Sequence, residues 1–175
     1  QHPGHRSFTV LRHPLARAHA AFCDHILPVD GAGAFTELRQ SLRRSFALPL
    51  PEGAIRDDYD LAAHRAAFGV FLTFVKANLN GQTHLRIDPA WASQLVLLQG
   101  FAGFAPPDII LREQTLAKDL ARLAEQVGRP DAPVLTASTD PHRPFLEGIY
   151  DQSLEDAARD AYPRDYEVFG FGNWT

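Results

Sequence analysis

The stretch SFTVLRHPLARAHAAFCDHIL, residues 7–27, decides the fold. Phe8, Thr9, Val10 and Leu11 form a short apolar and β-branched run, the pattern of a strand buried on both faces. The run stops at Arg12-His13-Pro14. Proline suits a first helical position, where its missing N–H would have no partner. Leu15, Ala18, Phe22 and Ile26 then recur at helical spacing, and Pro28 closes the segment. The unit reads as strand, tight turn and helix, with an arginine at the turn.

Such a turn suits an anion. The first N–H groups of a helix are unpaired and carry the positive end of its dipole. A phosphate there is held by those groups, and a guanidinium can add a bidentate contact. On pattern alone two readings of Arg12 stay open: anion ligand, or solvated turn residue. Arg17, one turn into the helix, reads as a surface residue.

Working outward, residues 29–33 form a loop with Asp30-Gly31 as turn chemistry. Phe35, Leu38, Leu42 and Phe46 mark a helix whose other face carries Arg39, Arg43 and Arg44. Those arginines read as a solvated face. Residues 47–53, with Pro49, Pro51 and Gly53, read as a loop. Asp57 and Asp58 are expected to start the longest helix, whose face is Leu61, Phe68, Phe71, Phe74, Val75 and Leu79. Asn80-Gly81 ends it, and His64 reads as a packed or half-exposed histidine, not a ligand. Asp88 and Pro89 predict the start of a helix carrying Trp91, Leu95 and Leu98. Residues 101–107 follow as a loop, and 108–112 as a second strand. Leu116, Leu120, Leu123 and Val127 give another amphipathic helix, stopped by Gly128 and Pro130. Residues 131–144 read as irregular. Ser153 and Asp156 suggest a capping box for a helix to about Tyr162. Phe169, Phe171 and Trp174 are expected to pack on the body.

The expected class is α/β, a sheet flanked by helices, with helix outweighing strand and residues 1–175 forming one domain. Hydrophobic residues make up 45% of the chain, enough for a sizeable core. The net charge of −4 and the absence of a basic run leave no electrostatic footprint for nucleic acid. One cysteine, Cys23, excludes an intramolecular disulfide and reads as a small buried hydrophobe. No stretch suits a membrane span and no signal peptide is visible, so a cytoplasmic protein is expected. His13, His19 and His25 recur every six residues rather than at i, i+4, so no metal is expected. There is no G-x-x-x-x-G-K-[ST], G-x-G-x-x-G, G-x-S-x-G or paired CxxC. Glu113 could be catalytic at its strand end, but reads better as an acid favoured by a helix N-terminus.

Four blocks together resemble the sulfotransferase family. Arg12-His13-Pro14-Leu15-Ala16-Arg17-Ala18-His19-Ala20-Ala21-Phe22 is similar to its 3′-phosphate-binding segment, R-D-P-x-x-R-x-x-S-A-Y. Gln82-Thr83-His84 resembles its histidine segment. Ile109 to Leu116, with Asp119-Leu120, resembles its strand-Glu-x-Leu-x-x-Asp-Leu block. Tyr162 to Phe171 resembles its closing Tyr-x-x-Asp-x-x-x-Phe-Gly-Tyr. The nearest branch holds carbohydrate sulfotransferases and related bacterial proteins, which use 3′-phosphoadenosine 5′-phosphosulfate (PAPS).

The resemblance implies a P-loop-like parallel sheet whose first strand-loop-helix unit, with its phosphosulfate loop, is missing ahead of Gln1. It implies sulfuryl transfer to a hydroxyl or amine of a carbohydrate or small-molecule acceptor. Arg12 would hold the 3′-phosphate. The family serine is Ala20 here and its aspartate is His13. Either His19 replaces the lost donor, or cofactor binding is weakened. Arg143 would reach the cofactor from a late loop. His84 is the leading candidate base; His5 is a weaker one, set closer to the strand than the base histidine of relatives. The alternatives are a non-catalytic sulfotransferase-fold binding protein and another P-loop-type small-molecule kinase. Neither the acceptor nor the oligomeric state is legible.

Overall fold

The structure, a computed structural model, describes residues 6–55, 58–133 and 140–175. Its elements run β1 (Phe8–Leu11), α1 (Pro14–Ala21), a π-helical turn (Phe22–Ile26), α2 (Thr36–Ser45) and α3 (Leu61–Leu79). Then follow α4 (Gln94–Ala102), β2 (Ile109–Arg112), a 3₁₀ turn (Glu113–Thr115) and α5 (Leu116–Gln126). The chain ends with α6 (Arg143–Ile149), α7 (Gln152–Ala161) and α8 (Pro163–Phe169). It is a helix-rich α/β chain with a small sheet. No described helix is long and apolar enough to cross a membrane.

The described residues cluster into two compact units. The strand unit holds 6–13 and 94–133; the helical unit holds 14–55, 58–93 and 140–175.

In the strand unit β1 and β2 pair in parallel, with Phe8 opposite Ile109 and Leu11 opposite Arg112. Ser7 pins their start, donating from its N–H (2.8 Å) and hydroxyl (2.9 Å) to Asp108 Oδ2. These contacts, the N–H first, hold the Asp108 carboxyl below its ordinary pKa. The expectation of a strand buried on both faces is corrected. Leu11 and Leu111 are buried, whereas Phe8, Val10 and Ile110 remain 38–50% exposed. The described sheet has two strands, so each keeps a free edge.

The helical unit is built round α3, which packs against α6 and α7. Phe68, Phe71, Phe74 and Val75 of α3 are fully buried, with Leu15, Phe22 and Ile26. Its start is Leu61, capped by Asp60, whose Oδ1 accepts the Ala63 N–H at 2.8 Å. The Asp57/Asp58 start is therefore corrected at Asp58, which lies in a turn before the helix; Asp57 is outside the described residues. Leu61 itself is 48% exposed rather than part of the buried face. Gly81, at φ 69°, takes the left-handed conformation that stops the helix.

Three further expectations change. Asp88 Oδ1 accepts the Ala90 N–H at 2.8 Å, as a cap would, but only one turn forms and helix resumes at Gln94. The cap of α7 is Asp151 rather than Ser153: its Oδ1 accepts the Leu154 N–H at 2.9 Å. Asp151 Oδ2 also takes Arg65 Nε at 2.8 Å, tying α7 to α3. Residues 143–149, read as partly irregular, are helix α6, because Pro144 stands within its first turn, where its N–H is not needed.

Arg39 is the largest departure. It is 1% exposed, not on a solvated face. Its guanidinium donates to the carbonyls of Ile26 (2.8 Å), Leu27 (2.7 Å), Pro51 (2.8 Å) and Gly53 (3.2 Å). Arg43 Nε likewise donates to the Leu50 carbonyl at 2.9 Å.

Candidate functional site

Arg12 directly follows β1, and α1 begins at Pro14, so Arg12 and His13 form the whole connection. The Gln94 side chain holds the Arg12 backbone at both ends. Its Oε1 accepts the Arg12 N–H at 3.0 Å, and its Nε2 donates to the Arg12 carbonyl at 2.8 Å. Arg12 Nε lies 3.1 Å from Glu113 Oε2, both side chains half-buried. Glu113 follows β2 as Arg12 follows β1. The two groups thus meet beyond the carboxyl ends of the parallel strands, where open α/β sheets place their ligands. Glu113 is an ion-pair partner of Arg12, which favours a structural role over a catalytic one.

The other expected site residues that the structure describes belong to the helical unit. His19 is fully buried on α1 and faces the α3 imidazole of His64, Nε2 to Nε2 at 2.8 Å. A phosphate donor at His19 gains no support from that placement. Ala20 is buried on the same helix. Arg143 begins α6, where its Nε donates to Glu147 Oε1 at 2.7 Å and its guanidinium lies 5.2 Å from the Trp174 ring centre. His5 lies outside the described residues. Arg17 donates to the carbonyls of Ala92, at 2.5 Å, and Pro89; its guanidinium serves the protein rather than solvent.

His84 is exposed in the loop between α3 and α4. Its neighbours on both sides, the Thr83 side chain and the Leu85 backbone, are held by Asn78, buried on α3. Asn78 Nδ2 donates to Thr83 Oγ1 and to the Leu85 carbonyl, each at 2.8 Å, and its Oδ1 accepts from Trp91 Nε1 at 2.9 Å. Sequence reasoning missed Asn78. Its position, four residues after the buried Phe74, was the available signal.

A second cluster forms inside the helical unit. Cys23 Sγ lies 3.6 Å from His19 Nε2. His64 Nδ1 meets the Tyr59 hydroxyl at 3.2 Å. Phe22 and Phe68 close round the two imidazoles. Burial pushes the Cys23 thiol well up, with Asp24 and Asp140 adding to the effect. A thiol so held is no nucleophile. Burial, then the His142 charge, lowers the His64 pKa and favours neutral imidazole.

No protein-family model, curated protein or solved structure matches this chain.

Proposed function

We propose that this chain is a sulfotransferase-like protein that binds PAPS, with Arg12 on the cofactor's 3′-phosphate. The reaction would carry the sulfuryl group to a hydroxyl or amine of a carbohydrate or small-molecule acceptor. The acceptor oxygen or nitrogen forms the new bond to sulfur as the bond to the 5′-phosphate oxygen breaks. His84 would take the acceptor's proton.

The observation that supports this most is the setting of Arg12. It stands just past the carboxyl end of a strand in a parallel pair, its backbone clamped at N–H and carbonyl by one glutamine. Such a clamp fixes where the guanidinium starts from, and a guanidinium suits a phosphate's geometry. The Asn78 clamp around His84 supports a positioned rather than wandering base.

A second reading is a sulfotransferase-fold binding protein without catalysis. It is favoured by Ala20, which has no hydroxyl for the phosphate, and by His19, whose ring is engaged in the interior.

Thermal denaturation with added nucleotide tests both. The full protein should be stabilised by 3′-phosphoadenosine 5′-phosphate, by about 2.7 kcal/mol at a hundred times the dissociation constant. ATP should do less. No shift with millimolar 3′-phosphoadenosine 5′-phosphate on a folded sample contradicts both readings, and a larger shift with ATP points to a kinase. Binding without sulfuryl transfer to any hydroxylated acceptor leaves the second reading.

A further inference from the structure

The His19, Cys23 and His64 side chains converge where the proposed sulfuryl chemistry has no use for them. All three are buried, and one donor atom from each lies within 4.8 Å of the others. Two are imidazole nitrogens and one is a thiol, the donor set that borderline metals such as zinc prefer. The expectation of no metal came from comparing histidine with histidine. His19 and Cys23 are four residues apart and so share one side of their helical segment, and α3 brings His64 to them.

We propose that His19 Nε2, His64 Nε2 and Cys23 Sγ bind one zinc ion, joining α1, the π-helical turn and α3.

The distances fit. Zinc bonds of about 2.0–2.3 Å in a tetrahedral array place nitrogen and sulfur donors about 3.5 Å apart and two nitrogens about 3.3 Å apart. Cys23 Sγ to His19 Nε2 is 3.6 Å. The two Nε2 atoms, 2.8 Å apart, are in hydrogen-bond contact and must part by about half an ångström to admit the ion. The π-helical turn matters here. Its Leu27 N–H reaches back to the Phe22 carbonyl at 3.0 Å, five residues away. Such bulges in a helix often mark functional sites, and this one carries Cys23.

The surroundings fit as well. Metal-bound histidines commonly use the second ring nitrogen to hold an oxygen partner. His64 Nδ1 has the Tyr59 hydroxyl. With the Nδ1 proton on His64 donated to Tyr59, His64 Nε2 is free of a proton and accepts from His19 Nε2–H. When the ion enters, His19 moves its proton to Nδ1, and Cys23 loses its thiol proton to solvent. One proton is therefore released for each ion bound. Tyr59 also lines a groove of about 470 Å³ with Pro51, Glu52, Asp58 and Ala63. Three protein donors leave one tetrahedral position for water or another small donor.

The test is titration of the reduced, chelator-treated full chain with cobalt(II), then with zinc. The expected result is one ion per chain, with the visible bands of tetrahedral cobalt and a near-ultraviolet thiolate-to-cobalt charge-transfer band. Zinc should displace the cobalt. Cys23→Ser should abolish the charge-transfer band, and His64→Gln should weaken binding at least tenfold. Tyr59→Phe, which only positions His64, should weaken binding roughly tenfold and leave the charge-transfer band in place. Should a variant fail to fold by circular dichroism, the wild-type spectrum still decides. Wild-type protein that takes up no cobalt or zinc overturns the proposal. So does stoichiometric binding without a charge-transfer band, or unchanged affinity in folded Cys23→Ser and His64→Gln. None of these outcomes depends on nucleotide binding, so this site and the PAPS reading stand or fall separately.

Discussion

Arg39→Leu should destabilise the protein by about 3–5 kcal/mol, the scale for removing one partner of a buried charged network. The reason lies in four carbonyls. Those of Ile26 and Leu27 close the first helical segment, where the last carbonyls of a helix have no partners of their own. A cation there also meets the negative end of the helix dipole. Those of Pro51 and Gly53 belong to the loop after α2. The planar fork of one guanidinium serves both sets. Leucine fills part of the volume and leaves the carbonyls dry and unpaired. Arg39→Lys should recover less than half of the loss, because an ammonium cannot span both pairs. Urea denaturation measures this. A loss below about 1 kcal/mol for Arg39→Leu would mean that water replaces the guanidinium at little cost.

Asn78→Ala comes next, at about 2–4 kcal/mol, combining a lost side chain in the core with polar groups left unmatched. Asn78 is 1% exposed and uses both ends of its amide. Without it the Trp91 indole N–H loses its acceptor and the Leu85 carbonyl its donor. Asn78→Asp should be comparably harmful, since a carboxylate would face the Leu85 carbonyl oxygen. The Trp91 indole N–H resonance should shift toward the solvent position in Asn78→Ala and stay hydrogen-bonded in Asn78→Asp, whose carboxylate still accepts it. If stability changes by less than about 0.5 kcal/mol, the amide is a surface-like contact and the clamp on the His84 loop fails with it.

Periodic apolar positions were readable from residue order. Leu15, Ala18, Phe22 and Ile26 are all buried as their spacing implied, and Phe68, Phe71, Phe74 and Val75 form the inner face of α3. Both strands were placed correctly to within a residue. What escaped was decided by tertiary partners. An arginine in an amphipathic helix reads as polar whatever its neighbours, and the carbonyls that bury Arg39 come from two loops. Asp151 and Ser153 are both plausible caps; Asp151 is also fixed by Arg65 of α3, eighty-six residues earlier in the chain. The exposed faces of Phe8 and Ile110 have the composition of buried strands, and nothing local distinguishes a strand in a pair from one in a wide sheet. The place of Arg12 in the turn was legible because strand, turn and helix are consecutive. The His19, Cys23 and His64 cluster was not, because its third member comes from another helix.

The most direct test of the central claim is calorimetric titration of wild type, Arg12→Ala and Arg12→Lys. The ligands are adenosine nucleotides with and without a 3′-phosphate. Arg12→Ala should weaken binding of 3′-phosphoadenosine 5′-phosphate by about 1.5–3 kcal/mol, the scale of a hydrogen bond to a charged group. Arg12→Lys should restore part of it. Binding of adenosine 5′-phosphate should hardly change, and neither variant should lose much stability. Equal weakening of both nucleotides, or unfolding of Arg12→Ala, would contradict the assignment of Arg12 to the 3′-phosphate.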